Sequence, residues 1–167
     1  MAKGKYADNI KKLLPTGIKH PEYGKKMREP ILFDSRSFPN TPVTVILQYP
    51  FESGCGWGLG LNLVGPPGFD HIMDLPHTHD QDEYWIFVGT DPKNNKDLGG
   101  EVEFWMGEGD EAEKYIITEP SVVYVPAGVV HLPIVFKNIR RPFFSIPILA
   151  SNTYTGKYTE IPAAFKK

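Results

Sequence analysis

Proline and glycine cut this chain into short pieces, and that punctuation limits its fold more than any other feature. Sixteen of each stand among 167 residues. Proline removes a backbone donor and glycine weakens any regular element, so little uninterrupted sequence is left for long helices. Between the breaks lie β-branched and aromatic runs, at 31–34, 43–49, 84–88, 101–106, 113–118, 121–125, 132–136 and 142–149. Runs of this length and composition, bounded by turn residues, predict an all-β domain. The run 84–88 (YWIFV) is wholly apolar, as expected of a strand buried on both faces.

The rest of the chain is arranged around those strands. Residues 1–30 read as a polar arm, in which 8–14 could make a short helical turn stopped by Pro15. Residues 31–150 form one β domain, and 151–167, with no sustained period, read as a tail. Glycine occupies alternate positions from 54 to 60, which leaves one strand face nearly bare and suits a bent or tightly packed sheet. Residues 65–68 (GPPG) make a turn, and 107–112 is the charged tip of a hairpin. The polar loop 89–100 is expected to be exposed.

Charge and cysteine usage exclude several classes. A net charge of −2 gives no basic footprint for nucleic acid or an anionic membrane surface. No apolar run approaches the ~20 residues of a membrane helix, and no signal peptide is visible at the start. The single cysteine, Cys55, excludes an intramolecular disulfide and fits a reducing compartment, so a cytoplasmic location is expected. Residues 1–29 carry eight Lys/Arg, whereas 82–113 carry ten acids. Their attraction, with the need to cover sheet edges, predicts a homodimer.

The chemistry concentrates in two stretches, 77–89 (HTHDQDEYWIFVG) and 126–131 (PAGVVH). His77 and His79 point the same way in an extended chain and can offer two imidazole nitrogens to one ion. Read alone, such a pair is as compatible with a polar strand end. Glu83 has the same parity, although a turn at 80–82 would uncouple it. A carboxylate and a third imidazole, His131, complete a four-ligand N/O set suited to Fe(II), Mn(II), Co(II), Ni(II) or Zn(II). Without a thiolate, a purely structural zinc site is disfavoured.

The order and spacing of the whole set, H-x-H-x3-E-x5-G at His77, His79, Glu83 and Gly89, then P-x-G-x2-H at Pro126, Gly128 and His131, resemble the two motifs of the cupin superfamily. The resemblance spans roughly residues 43–149. It implies a small β-barrel, two antiparallel sheets in jelly-roll arrangement, with one divalent transition metal ion held by His77, His79, Glu83 and His131. It implies a small-molecule ligand at that ion, and oxygenase, isomerase or decarboxylase activity, or else a non-catalytic binding or sensing module. The fold does not choose among these. Trp85 and Phe87 share the parity of Glu83 and are candidates to line the interior. Tyr124 and Glu103 are acid/base candidates, Glu103 being expected at the surface. Asp80 and Asp82 are expected as solvated turn residues, His71 as a candidate near the barrel mouth, and His20 as solvated.

Overall fold

The computed structural model describes residues 31–35, 41–48, 76–153 and 155–160. The arm at 1–30 with His20, the glycine-alternating stretch with Cys55, the 65–68 turn and His71 lie outside the described residues.

Among the described residues the chain forms ten strands: β1 Ile31–Asp34, β2 Thr44–Gln48, β3 His77–Thr78, β4 Glu83–Gly89, β5 Glu101–Met106, β6 Glu113–Ile117, β7 Ser121–Val125, β8 His131–Lys137, β9 Phe143–Leu149 and β10 Lys157–Tyr158. They form two five-stranded antiparallel sheets, β1-β2-β9-β4-β7 and β10-β3-β8-β5-β6. A 3-10 turn, Gly109–Glu111, caps the β5–β6 hairpin. Among the described residues no helix is long and apolar enough to cross a membrane.

The core fills the space between the sheets. Trp85, Phe87 and Phe143 from one sheet meet Phe104, Ile134 and Phe136 from the other, all buried. Aromatic edges meet faces: Phe87 and Phe104 are 6.4 Å apart at 71°, and Phe136 and Phe143 are 5.5 Å apart at 82°. Such T-shaped pairs add to the burial itself.

Three expectations are corrected here. Strand β4 is buried on one face only: Trp85 and Phe87 are 5% and 1% exposed, but Tyr84 and Val88 are 41% and 40% exposed. An antiparallel sheet in a two-sheet barrel packs one face against the core, whatever the composition of the other. The strand buried along its length is β8, from His131 to Phe136. The loop after β4 is exposed only at 92–96, whereas Leu98, Gly99 and Gly100 are buried. The Asp97 carboxylate accepts hydrogen bonds from Gly99 N (3.0 Å), Arg140 (2.8 Å) and Arg141 (3.0 Å), which folds the loop inward. A Cβ on Gly89 would collide with the Asp97 carbonyl, so that glycine is needed for close backbone approach. Finally, the segment read as a tail supplies β10, which pairs Tyr158 with His77 and Lys157 with Thr78.

Candidate metal centre

Strand β3 is only two residues long, yet it sits between β10 and β8 and aligns His77 with His131 across the ladder. Alternation then carries His79 to the same side, and the Nε2 atoms of His77 and His79 are 3.1 Å apart. The His77 ring centroid lies 4.7 Å from that of His79 and 4.6 Å from that of His131. Glu83 opens β4 in the opposite sheet, so its carboxylate reaches across the gap. Its Oε2 is 2.8 Å from His131 Nε2 and 3.8 Å from His79 Nε2. All four side chains are buried, with 0–6% exposure.

The inward aim of His131 depends on a β-bulge. Phe104 pairs with Ile134 and Met106 with His131, so a step of two on β5 spans a step of three on β8. Leu132, within that step, has φ of +69°. In an unbroken register His131 would share the face of Val135 and Lys137, away from Phe104. One extra residue turns the imidazole to the core side instead.

The turn between β7 and β8 stitches the two motifs together. Gly128, at φ +80°, donates its N–H to the His79 carbonyl at 2.8 Å. Ala127 N donates to Asp82 Oδ1 at 2.9 Å. Asp82 therefore anchors the second motif and is more than a solvated turn residue. Asp80 is exposed, paired with Lys157 at 2.7 Å.

The tautomer of His131 follows from chemistry. Its Nδ1 is 3.1 Å from the Val129 carbonyl, which can only accept, so Nδ1 carries the proton. In the neutral ring, Nε2 then presents a lone pair toward the Glu83 carboxylate. His131 Nε2 and Glu83 Oε2 are 2.8 Å apart, close enough to share a proton or a bound cation. Burial drives the His79 pKa down, against the opposing pull of Glu83. For Glu83, burial pushes the pKa up, but contact with His131, the charges of His131 and His79 and the Trp85 indole beside it outweigh that and lower it. A neutral imidazole and an ionised carboxylate are the forms that bind metal.

The donor set fits a divalent ion. Ligand atoms of His77, His79 and His131 all lie within 4.8 Å of one another. Two atoms each bound about 2.1 Å from one ion at tetrahedral or octahedral angles stand roughly 3.0–3.4 Å apart. The 3.1 Å between His77 and His79, and the 2.8 Å between His131 and Glu83, are close to that spacing. A cation, like a proton, can bridge His131 Nε2 and the Glu83 carboxylate.

Around this cluster the parity argument holds for Trp85 and Phe87, which are inside. One neighbour was not legible in the motifs: Tyr158 sets its ring edge-on to His77 at 5.5 Å. The acid/base candidates fall elsewhere. Tyr124 is 47% exposed on the outer face beside Tyr84, its hydroxyl pKa raised by Asp82. Glu103 is 1% exposed, which corrects the surface expectation. It points away from Phe104, on the far face of the sheet, and accepts hydrogen bonds from Lys137 Nζ (2.6 Å) and Trp105 Nε1 (2.9 Å).

No protein-family model matches the chain, and neither does any curated protein sequence. Solved structures do. Oxalate oxidase in complex with the substrate analogue glycolate superposes with a TM-score of 0.51 at 13% identity, over 95% of this chain and 67% of that one. A second oxalate oxidase structure gives the same values. An uncharacterized conserved protein with a double-stranded β-helix domain from Klebsiella pneumoniae has a TM-score of 0.47 at 13% identity, over 84% of this chain and 88% of its own. At such identity the likeness to oxalate oxidase speaks to architecture alone. With its two antiparallel sheets closed around a buried core, this chain has the cupin-type β-barrel fold.

Proposed function

We propose that the protein binds one divalent first-row transition ion through His77, His79, Glu83 and His131, and a small organic molecule at that ion. The observation that carries this reading is the pairing of His131 Nε2 with Glu83 Oε2. A buried imidazole nitrogen faces a buried carboxylate oxygen at 2.8 Å, an arrangement that a shared cation stabilises. The ion, when bound, supplies a Lewis acid that polarises an oxygen of the bound molecule. The chain's own residues orient and enclose it. His131 is held by the Val129 carbonyl, the turn at Gly128 is tied to His79, and Trp85 and Phe87 exclude water from below.

The reaction class is tested by loading the protein with each ion and screening 1,3-diketones, catechols, keto acids, sugar derivatives and oxalate, with and without oxygen. Turnover lost in His131→Ala supports an enzyme of oxygenase, isomerase or decarboxylase type. Ligand binding without product in every metal form supports a non-catalytic module.

A second copy of the chain is the partner we infer. The outer face of β4 and β7 exposes Tyr84, Val88, Val122 and Tyr124 by 40–61%, and among the described residues β7 is the last strand of its sheet. A two-fold pairing covers the face and the open edge together. Sedimentation of Val122→Lys beside the unaltered chain tests it: a dimer that becomes a monomer supports the pairing, and a monomer in both contradicts it.

A further inference from the structure

We propose that Tyr158 is a positioning residue of the metal centre and that β10 is its strap: the Tyr158 ring sets the imidazole of His77, and the ion enters and leaves when β10 lifts from β3. This inference rests on the reading of the metal centre given above.

Directly paired residues on neighbouring strands share one face of a sheet. Tyr158 pairs with His77 between β10 and β3, and His77 pairs with His131 between β3 and β8. The three rings therefore stand in one row, on the face that carries the proposed ligands. Their centroids are 5.5 Å apart from Tyr158 to His77 and 4.6 Å apart from His77 to His131, each pair edge to face. His131 is fully buried and held by the Val129 carbonyl, so one end of the row is fixed. Tyr158 closes the other end. It is 46% exposed and stands at the border with solvent, whereas His77 beside it is 3% exposed. A ring that restricts the His77 imidazole before the ion arrives lowers the ordering cost of binding.

The same segment holds the backbone that carries His77 and His79. Strand β3 has one register partner on the β8 side, His131, and two on the β10 side, Lys157 and Tyr158. Further ties flank the two histidines. Before them, Thr159 N donates to the Pro76 carbonyl at 2.8 Å. After them, Lys157 Nζ meets Asp80 Oδ1 at 2.7 Å, and Thr155 Oγ1 donates to Gln81 Oε1 at 3.0 Å. Glu83 and His131 are held differently, each at the start of a seven-residue strand with partners along its length. A strand of two exposed residues opens at far lower cost than those. Opening of β10 frees His77 and His79 while Glu83 and His131 stay in place, which makes β10 the movable side of the centre.

The test uses the full chain loaded with Zn(II), and reads zinc affinity and the rate of zinc release to an excess of chromophoric chelator. Tyr158→Ala should weaken zinc and speed its release about 2–10-fold, the worth of one aromatic contact. Tyr158→Phe, which keeps the ring, should match the parent in both. Thr159→Pro keeps the ring but removes the N–H given to Pro76, and should also speed release. Glu103→Gln, which removes a buried charge on the far face of β5, should release zinc at the parent's rate. Release that is equally fast in Glu103→Gln, or that Tyr158→Phe does not restore, overturns the inference, because the effect is then general stability or the hydroxyl. Release at the parent's rate from both Tyr158→Ala and Thr159→Pro overturns it too, and leaves the metal reading standing. If Tyr158→Ala does not fold, the rate in Thr159→Pro decides. If the unaltered chain holds no zinc, the metal reading fails first and this inference falls with it.

Discussion

His131 turns its Nε2 toward the carboxylate of Glu83, 2.8 Å away, while its other nitrogen is held by the Val129 carbonyl. Neutral imidazole and carboxylate at that distance repel unless a proton or a metal ion sits between them. Glu83→Gln separates the two cases. The amide keeps the shape, removes the charge and can donate to Nε2. Zinc affinity, measured by competition with a chromophoric chelator, should fall at least about 10–100-fold. The metal-free variant at pH 8 should melt no lower than the metal-free parent, because a hydrogen bond replaces an unfavourable contact. A metal-free variant that melts well below its parent would show that the carboxylate is held by protonated His131.

The bulge at Leu132 and Pro133 gives a second expectation. Deleting Pro133 makes the step on β8 match the step of two on β5, and by parity keeps His131 on the face of Ile134, opposite Met106. The deletion should therefore retain zinc binding, which His131→Ala abolishes, and leave the β-sheet circular dichroism signal. Zinc binding lost in the deletion would mean that the bulged backbone itself, and not the face alone, sets the imidazole in place.

These two residues also show what the sequence could and could not tell. The spacing of His77, His79 and Glu83 survives into the structure because alternation and a short turn are local events. The convergence of His131 came from its position in a motif. Its parity along β8 would have put it outside, and the bulge that corrects this has no signature in the run 131–137. Trp85 and Phe87 were legible by counting from Glu83. Glu103 was not, since its burial depends on the far face of the sheet being covered. Leu98 and Tyr158 were missed for a like reason: each is fixed by a long-range partner, Thr118 in one case and His77 in the other.

Glu103 provides a control remote from the chemistry. Its carboxylate meets Lys137 Nζ at 2.6 Å and Trp105 Nε1 at 2.9 Å on the far face of β5. Glu103→Gln should cost about 1–3 kcal/mol in denaturant unfolding, through weakened buried hydrogen bonds. Its metal content should equal that of the parent. Loss of metal would place Glu103 in the site after all.

Asp97 predicts a pH dependence. Hydrogen bonds from Arg140, Gly99 and Arg141 lower its pKa from 3.8 to about 2. A carboxylate lowered on folding adds stability that is complete above its unfolded pKa and lost as pH falls through the folded one. The Tm difference between the parent and Asp97→Asn should therefore be constant above pH 3.8 and close toward about pH 2. A difference that persists undiminished at the acid end would mean that shape, not charge, holds the 97–100 loop.

The most direct measurement is anomalous diffraction from crystals of protein purified without chelator, recorded on both sides of the absorption edge of the ion found. The account predicts one anomalous peak about 2.0–2.2 Å from the Nε2 atoms of His77, His79 and His131 and from a carboxylate oxygen of Glu83. That peak should vanish in His77→Ala/His131→Ala. Crystals with no peak between these four side chains, or with bound metal unchanged in the double variant, would contradict it.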